Sequence, residues 1–389
     1  MPANPSFKTM MNEVVAYGSC CECGSCVLVC PHNVIDYVDG KPKQVAKATA
    51  AFDFCGISEG IGCDVCAQVC PRLNPREFEL ADLLYGSDQP YKGAFGVYRR
   101  IVAARCLAPE IMERSQDGGV VTAMLRWAFE RGVIDGAAVS VADPDRPAQP
   151  MAKLVTNVEE ILSSAGSWYT YCPNNLALAD AERLGLTKVA FVGVPCQITP
   201  VRKMQFVDAG YLENGRKKDK HIERQTKFLK GYGARVALNI GLLCTEVFTY
   251  EGLMVDKIQN EMGVPLGDIK KFNVKGKVLI YKKDGGVVEM KLKTAQEYAR
   301  PECHHCGDFS AELADISCGG VGAMDWTITI MRTERGEEIF NRMVAEGLFE
   351  VRPMEEFENS MKVLLRLSDR QRARVPVAPG QDASRVRAL

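Results

Sequence analysis

The apolar positions along the chain follow several different periods. KVAFVGVP (Lys188 to Pro195) and ALNIGLLC (Ala237 to Cys244) are short, nearly continuous apolar runs, which predict buried strands. VLIYKKDGGVVEMKL (Val278 to Leu292) reads as a hairpin with Asp284-Gly285-Gly286 as its turn. VVTAMLRWAFERG (Val120 to Gly132) has helical apolar spacing and a glycine at its end. These elements predict an α/β body, a mixed sheet with surrounding helices. A strongly basic insert, Glu213 to Arg235, separates the two buried strands, and the stretch from Arg370 reads as a mobile tail. The N-terminal part differs and predicts a small α+β domain of its own. Three regions are therefore expected: 1–80, 94–355 and a C-terminal helix and tail over 356–389. The join falls in the polar, Gly- and Pro-punctuated stretch Leu73 to Gly96.

Composition narrows the function classes. The chain has 389 residues and a net charge of −1, so nothing global calls for nucleic acid or a membrane surface. No apolar run reaches the roughly 18 residues of a spanning helix. MPANPSFKTMMNE lacks a basic region followed by an apolar one, so no secretory signal is read and a cytoplasmic place, possibly peripheral to a membrane complex, is expected. Without export, sixteen cysteines make a poor disulfide framework and point to metal instead.

Nine of those cysteines lie between Cys20 and Cys70. Cys20, Cys23, Cys26 and Cys30 follow C-x2-C-x2-C-x3-C with Pro31 next, which is the bacterial ferredoxin run. Cys55, Cys63, Cys66 and Cys70 answer it, with the first gap stretched and Pro71 closing the run. In the ferredoxin pattern the last cysteine of each run serves the other cluster. Cys20, Cys23, Cys26 and Cys70 then hold one [4Fe–4S] cluster, and Cys55, Cys63, Cys66 and Cys30 the second. Cys21 is left over as a free thiol. Zinc is the competing reading, but zinc sites pair C-x2-C with a distant C-x2-C or His pair rather than repeating C-x3-C-P.

In the body, Asp117-Gly118-Gly119 opens the predicted helix, where free N–H groups and the helix dipole suit a phosphate. A plain turn is the alternative. Ser164, Gly166, Ser167 and Thr170 form a hydroxyl-rich loop suited to phosphate or ribose. Tyr169 and Tyr171 offer rings to pack on a cofactor or in the core. Gly319, Gly320 and Gly322 give a backbone-exposing loop fit for a ring edge, with a β-turn as the alternative. Arg202 and Lys203 are candidate anion contacts. Cys106, Cys172 and Cys318 read as packed small hydrophobes.

Segments of the body resemble the beta subunits of coenzyme F420-reducing hydrogenases and formate dehydrogenases, and of F420H2 dehydrogenases. The carriers are SQDGGVVTAML (Ser115 to Leu125), SAGSWYTYCPN (Ser164 to Asn174), VGVPCQITPVRKMQ (Val192 to Gln205), NIGLLCTEVF (Asn239 to Phe248) and the run from Cys303 to Gly336. They stand in the family's order, and the resemblance spans about Ala94 to about Pro353. It implies FAD, one body [4Fe–4S] cluster and hydride exchange with coenzyme F420. It also implies that Cys196, Cys244, Cys303 and Cys306 hold that cluster, the third in the chain. Thr122 and Asn174, inside the carrier segments, join the cofactor-binding candidates. A two-electron hydride carrier and one-electron clusters need a flavin between them, so no catalytic side chain is expected. The head implies a partner subunit in a larger redox complex. A ferredoxin-dependent reductase of an organic ring is the second reading, and a flavin-less electron-transfer protein the third.

Overall fold

In the computed structural model the described residues are 6–31, 33–44, 63–89, 93–208 and 219–377. The head contributes strands β1 (Ile35–Val38) and β2 (Lys41–Gln44), an antiparallel hairpin. Asp39 and Gly40 turn it with φ of 50° and 77°, the paired left-handed geometry that suits the strand twist. Short helices α1 (Ser25–Leu28) and α2 (Val65–Val69) carry cysteines. Helix α3 (Glu77–Tyr85) follows. It occupies the stretch expected to be a loose join. Leu80 and Ala81 are buried along it, and the Tyr85 hydroxyl donates to the Glu312 carbonyl at 2.7 Å. The polar punctuation marked the ends of this segment, while the helix inside it docks by one short apolar face.

The body is built on eight strands: β3 (Arg100–Cys106), β4 (Gly136–Ala142), β5 (Pro150–Val155), β6 (Val189–Gly193), β7 (Val236–Leu242), β11 (Ile316–Gly319), β12 (Thr327–Met331) and β13 (Phe349–Pro353). Their order is β13-β3-β12-β11-β7-β6-β4-β5. The centre, β11-β7-β6-β4, is parallel, and the outer pairings are antiparallel. Every residue of β6 and β12 is buried, as continuous apolar runs require in a covered sheet. Phe191 in β6 is fully buried, which stabilises by roughly 2–3 kcal/mol. Between β7 and β11 the chain inserts a second sheet, β10-β9-β8, of β8 (Ile269–Val274), β9 (Lys277–Lys282) and β10 (Val287–Lys291). Its hairpin turns at the expected Asp284-Gly285-Gly286, where the Asp284 carboxylate accepts from the Gly286 N–H. The fold is thus mixed α/β, as the apolar pattern predicted.

The longer helices of the body are α4 (Val120–Glu130), α5 (Pro195–Phe206), α6 (Asp219–Gly233), α7 (Glu334–Ala345) and α8 (Glu358–Arg374). Head and body do not have separate cores. Val29, Val65, Val69 and Leu73 of the head pack in one apolar cluster with Leu178, Ile198, Val201 and Met204 of the body. The C-terminal expectation also needs correcting. Arg370 to Arg374 continue α8 rather than starting a tail, and Gln371 and Arg372 are buried. The reason is charge: Arg372 pairs with buried Glu312, which a reading of a basic, Pro-ended stretch does not supply. Among the described residues no helix is long and apolar enough to cross a membrane.

Candidate functional site

Parallel strands bring their C-terminal ends to one edge, where α/β sheets build their ligand sites. Cys196 stands just past β6 on the first turn of α5, and Cys244 just past β7. β6 and β7 are neighbours, so the two thiols come side by side. A 3-10 turn, Pro301–His305, presents Cys303, and Cys306 follows. All four thiols line a single pocket, together with Cys21, Arg72, Tyr171, Arg300 and Gln371. Four cysteines from separate loops that converge on one pocket suit a metal centre. Burial pushes the Cys244, Cys303 and Cys306 thiols up, Cys306 to about 11. Buried thiols that resist ionising are relieved when a metal replaces their protons. Arg300 lies 4.1 Å from the Tyr171 ring centroid and pairs with Glu22 at 2.5 Å.

A second cavity lies in the head and is lined by Cys20, Cys23, Cys26 and Cys70. The loop between them closes tightly because Glu22 and Gly24 take left-handed backbone, φ 62° and 76°. Glycine at position 24 is also needed for space, since a Cβ there would meet the Leu176 side chain of the body at 2.6 Å. Burial pushes the Cys20 thiol up to about 12. Cys30 and Cys66 are buried in the shared apolar core, and Cys63 packs against it. Cys55, assigned with them by sequence, lies outside the described residues. Cys21, expected to be a spare thiol, lines both cavities, and its Sγ lies 3.9 Å from the Cys196 carbonyl oxygen.

The glycine candidates gather at the same sheet edge, beyond β11. Gly119 caps α4 in left-handed backbone with φ 70° and no side-chain cap, leaving the first N–H groups of the helix open. Gly118 is there for space. A Cβ on it would stand 2.4 Å from the Ala104 carbonyl and 2.6 Å from the Thr327 nitrogen. Gly118→Ala is therefore expected to cost about 1–3 kcal/mol by pushing the helix start off the sheet, read as a lowered denaturation midpoint. Asp117 packs against Gly320, whose Cβ would fall 1.8 Å from its carboxylate, so the two glycine loops meet. Burial pushes the Asp117 carboxyl up, and Lys275, at 2.6 Å, opposes it. Lys271 donates to the Ser115 and Gln116 carbonyls at 3.1 and 3.2 Å. Two lysines of the inserted sheet thus flank an uncapped helix start, a set that fits a phosphate. Tyr169 packs on Phe272 of the same sheet, ring centroids 5.2 Å apart.

Other candidates are placed differently. Thr122 is buried on the first turn of α4. The Ser164 hydroxyl donates back to the Ile161 carbonyl, and Gly166 has open space around it. Ser167 is exposed. Thr170 is buried with an unpartnered hydroxyl. Gly319 sits against Leu243 and Gly322 against Ser360. Asn174 accepts from Ser140 and donates to the Val192 carbonyl, bonds that hold β4 and β6. Arg202 pairs with Asp315 at 2.8 Å and donates to the Leu313 carbonyl. Lys203 is fully buried and donates to the Cys70 and Leu73 carbonyls, both at 2.6 Å. Both are buried and satisfied within the fold, Arg202 against the body and Lys203 against the head. Cys106 and Cys318 are core residues, and Cys172 is buried. Sequence reasoning missed Arg72, Arg300, Gln371, Lys271 and Lys275. Nothing in their local sequence separates them from surface cations and amides.

Comparisons with known proteins identify the family. Residues 101–179 match the model of the N-terminal region of the coenzyme F420 hydrogenase/dehydrogenase beta subunit, and 186–357 that of its C-terminal region. The beta subunit of the coenzyme F420 hydrogenase of Methanosarcina barkeri is 35% identical over 284 residues, 72% of this chain and 90% of that one. A polypeptide of the F(420)H(2) dehydrogenase of Methanosarcina mazei is 32% identical over 339 residues, 85% and 83% of the two chains. A coenzyme F420-dependent sulfite reductase of Methanocaldococcus jannaschii is 34% identical over 345 residues, and the match takes in 88% of this chain and 49% of that one. Among solved structures, a chain of the F420-reducing [NiFe] hydrogenase complex of Methanosarcina barkeri superposes with a TM-score of 0.64 at 34% identity, covering 73% of this chain and 91% of that one. The chain belongs to the family of coenzyme F420 hydrogenase/dehydrogenase beta subunits.

Proposed function

We propose that the chain is the component of an F420-linked oxidoreductase that exchanges hydride between reduced coenzyme F420 and FAD, and passes single electrons through three [4Fe–4S] clusters to or from a partner subunit. The observation that carries this reading is the pair of thiol-lined cavities joined by Cys21. One belongs to the sheet edge where the glycine loops also meet, and the other to the ferredoxin-like head. A flavin takes two electrons and gives one at a time, which is the chemistry that links a hydride carrier to iron–sulfur clusters. The protein's part is placement. Gly118, Gly119 and the flanking Lys271 and Lys275 would hold phosphate. Cys196, Cys244, Cys303 and Cys306 would hold the body cluster. Cys20, Cys23, Cys26 and Cys70 would hold one head cluster, with Cys30, Cys55, Cys63 and Cys66 on the other.

The test is an anaerobic spectrum of the purified chain during addition of reduced F420, with a viologen as final acceptor. Growth of the oxidised deazaflavin band with viologen reduction is expected, together with FAD and about twelve irons, three cubanes at four each. Bound flavin that ignores reduced F420 would sink the substrate assignment and favour reduction of an organic ring by the same cofactors. The partner is a catalytic or electron-accepting component of a larger complex, in keeping with the hydrogenase and dehydrogenase named for the relatives.

A further inference from the structure

Two cations in the seam between head and body have no carboxylate in direct contact among the described residues. Arg72, from the head, donates to three carbonyls: Ser19 at 3.0 Å, His305 at 2.6 Å and Glu302 at 3.1 Å. Lys203, from the body, donates to the Cys70 and Leu73 carbonyls. Among the described residues no carboxylate stands within 4 Å of either; the Glu77 carboxylate pairs with Arg76 at 3.4 Å and reaches both only at longer range. Arg300, in the same seam, is the contrast, since Glu22 and Glu302 balance it. A cation set among neutral carbonyls in a protein interior costs several kcal/mol unless an anion offsets it. Each of these stands beside a thiol set of the other domain, and Arg72 also lies near Cys70 of its own. Arg72 lines the cavity of Cys196, Cys244, Cys303 and Cys306. Lys203 holds the backbone of Cys70, which lines the head cavity.

We infer that head and body each supply the counter-cation of the other's cluster. Arg72 is the positioning charge for the body cluster and Lys203 for the head cluster that uses Cys70. This rests on the cluster reading above. A cubane held by four thiolates is anionic and gains one further negative charge on reduction, so a nearby fixed cation favours the reduced form and raises the potential. Docking of the head therefore sets the potentials of both clusters, and the two steps of the electron path are tuned together across one seam.

The experiment is an EPR-monitored redox titration of the full chain with its clusters reconstituted. Arg72→Met should lower the midpoint of the body cluster, and Lys203→Met that of the head cluster bound through Cys70. Each expected shift is about tenfold in the reduced-to-oxidised ratio at fixed potential, about 59 mV for one electron. In Arg72→Met the body cluster should move more than the head cluster, and in Lys203→Met the head cluster more than the body cluster. Arg72→Lys, which keeps the charge, should load iron and titrate like the parent chain. Wild-type iron content with unmoved midpoints would overturn the inference. So would equal movement of both clusters in each variant, which means a loosened seam. If Arg72→Met fails to load, Arg72→Lys decides. Loading with the parent midpoint supports the charge, and equal iron loss makes Arg72 only a clasp on the 302–305 turn. If Cys196→Ser removes no signal from the otherwise intact chain, the cluster reading itself has failed, a result distinct from unmoved midpoints.

Discussion

Cys303→Ser is expected to remove one cluster, about four irons per chain, while leaving the head clusters in place. Flavin reduction by reduced F420 should survive, and viologen reduction should fall by more than the roughly 10–100-fold that outer contacts of a metal site cost. The separation of the two half-reactions is the informative part. Cys303 lies on the turn that closes the body cavity, held by the Cys303 N–H to the Arg300 carbonyl at 3.0 Å and by Arg374 at the Cys303 carbonyl. A serine keeps that backbone, so folding is not the variable. Cys318→Ser is the control. Cys318 is buried in β11, paired across the sheet with Thr329, and lines neither thiol cavity. Its loss should cost stability and no iron. Iron analysis with EPR of the two variants settles the ligand set. Equal iron in Cys303→Ser and the parent chain would end the third-cluster assignment.

Much of this was legible in the sequence, and the reasons are local. The spacing of Cys20, Cys23 and Cys26 is that of a loop wrapping a cubane, and the structure brings these three thiols to one pocket with Cys70. Its remote member, Cys70, was legible only because the second run repeats the C-x3-C-P ending. The strands carrying Cys196 and Cys244 were readable as apolar runs, but their adjacency depends on the order of β6 and β7 in the sheet. That order is a long-range fact that no window of sequence holds. The same limit hid the seam. Lys203 and Arg202 stand in a basic, polar stretch of a helix; Lys203 is buried against the head, and Arg202 by its pairing with Asp315 in the body. Arg72 follows the last cysteine of the head and reads as an ordinary surface cation until the 302–305 turn is placed against it. Cys21 was surplus by motif and becomes a wall of both cavities only when head and body share one core.

The C-terminal helix carries the last large effect. Its end closes the body cavity: the Gln371 amide donates to the Cys244 and Asp308 carbonyls at 3.1 and 2.9 Å, and Arg374 reaches the Thr245 and Cys303 carbonyls. What fixes this end is the buried pair of Arg372 with Glu312. Taking the carboxylate from a buried guanidinium costs about 3–5 kcal/mol, so Glu312→Ala should lower the denaturation free energy by that amount. Detachment of α8 should also expose the body cavity, seen as faster oxygen bleaching of its cluster absorbance while the head signals persist. A double variant, Glu312→Leu with Arg372→Met, tests the cause. Two apolar groups of similar volume need no counter-charge, so the double variant should recover most of the lost stability. A single Glu312→Ala variant that loses less than about 1 kcal/mol, the scale of an exposed pair, would mean that α8 is held by its apolar contacts and that the ion pair merely follows.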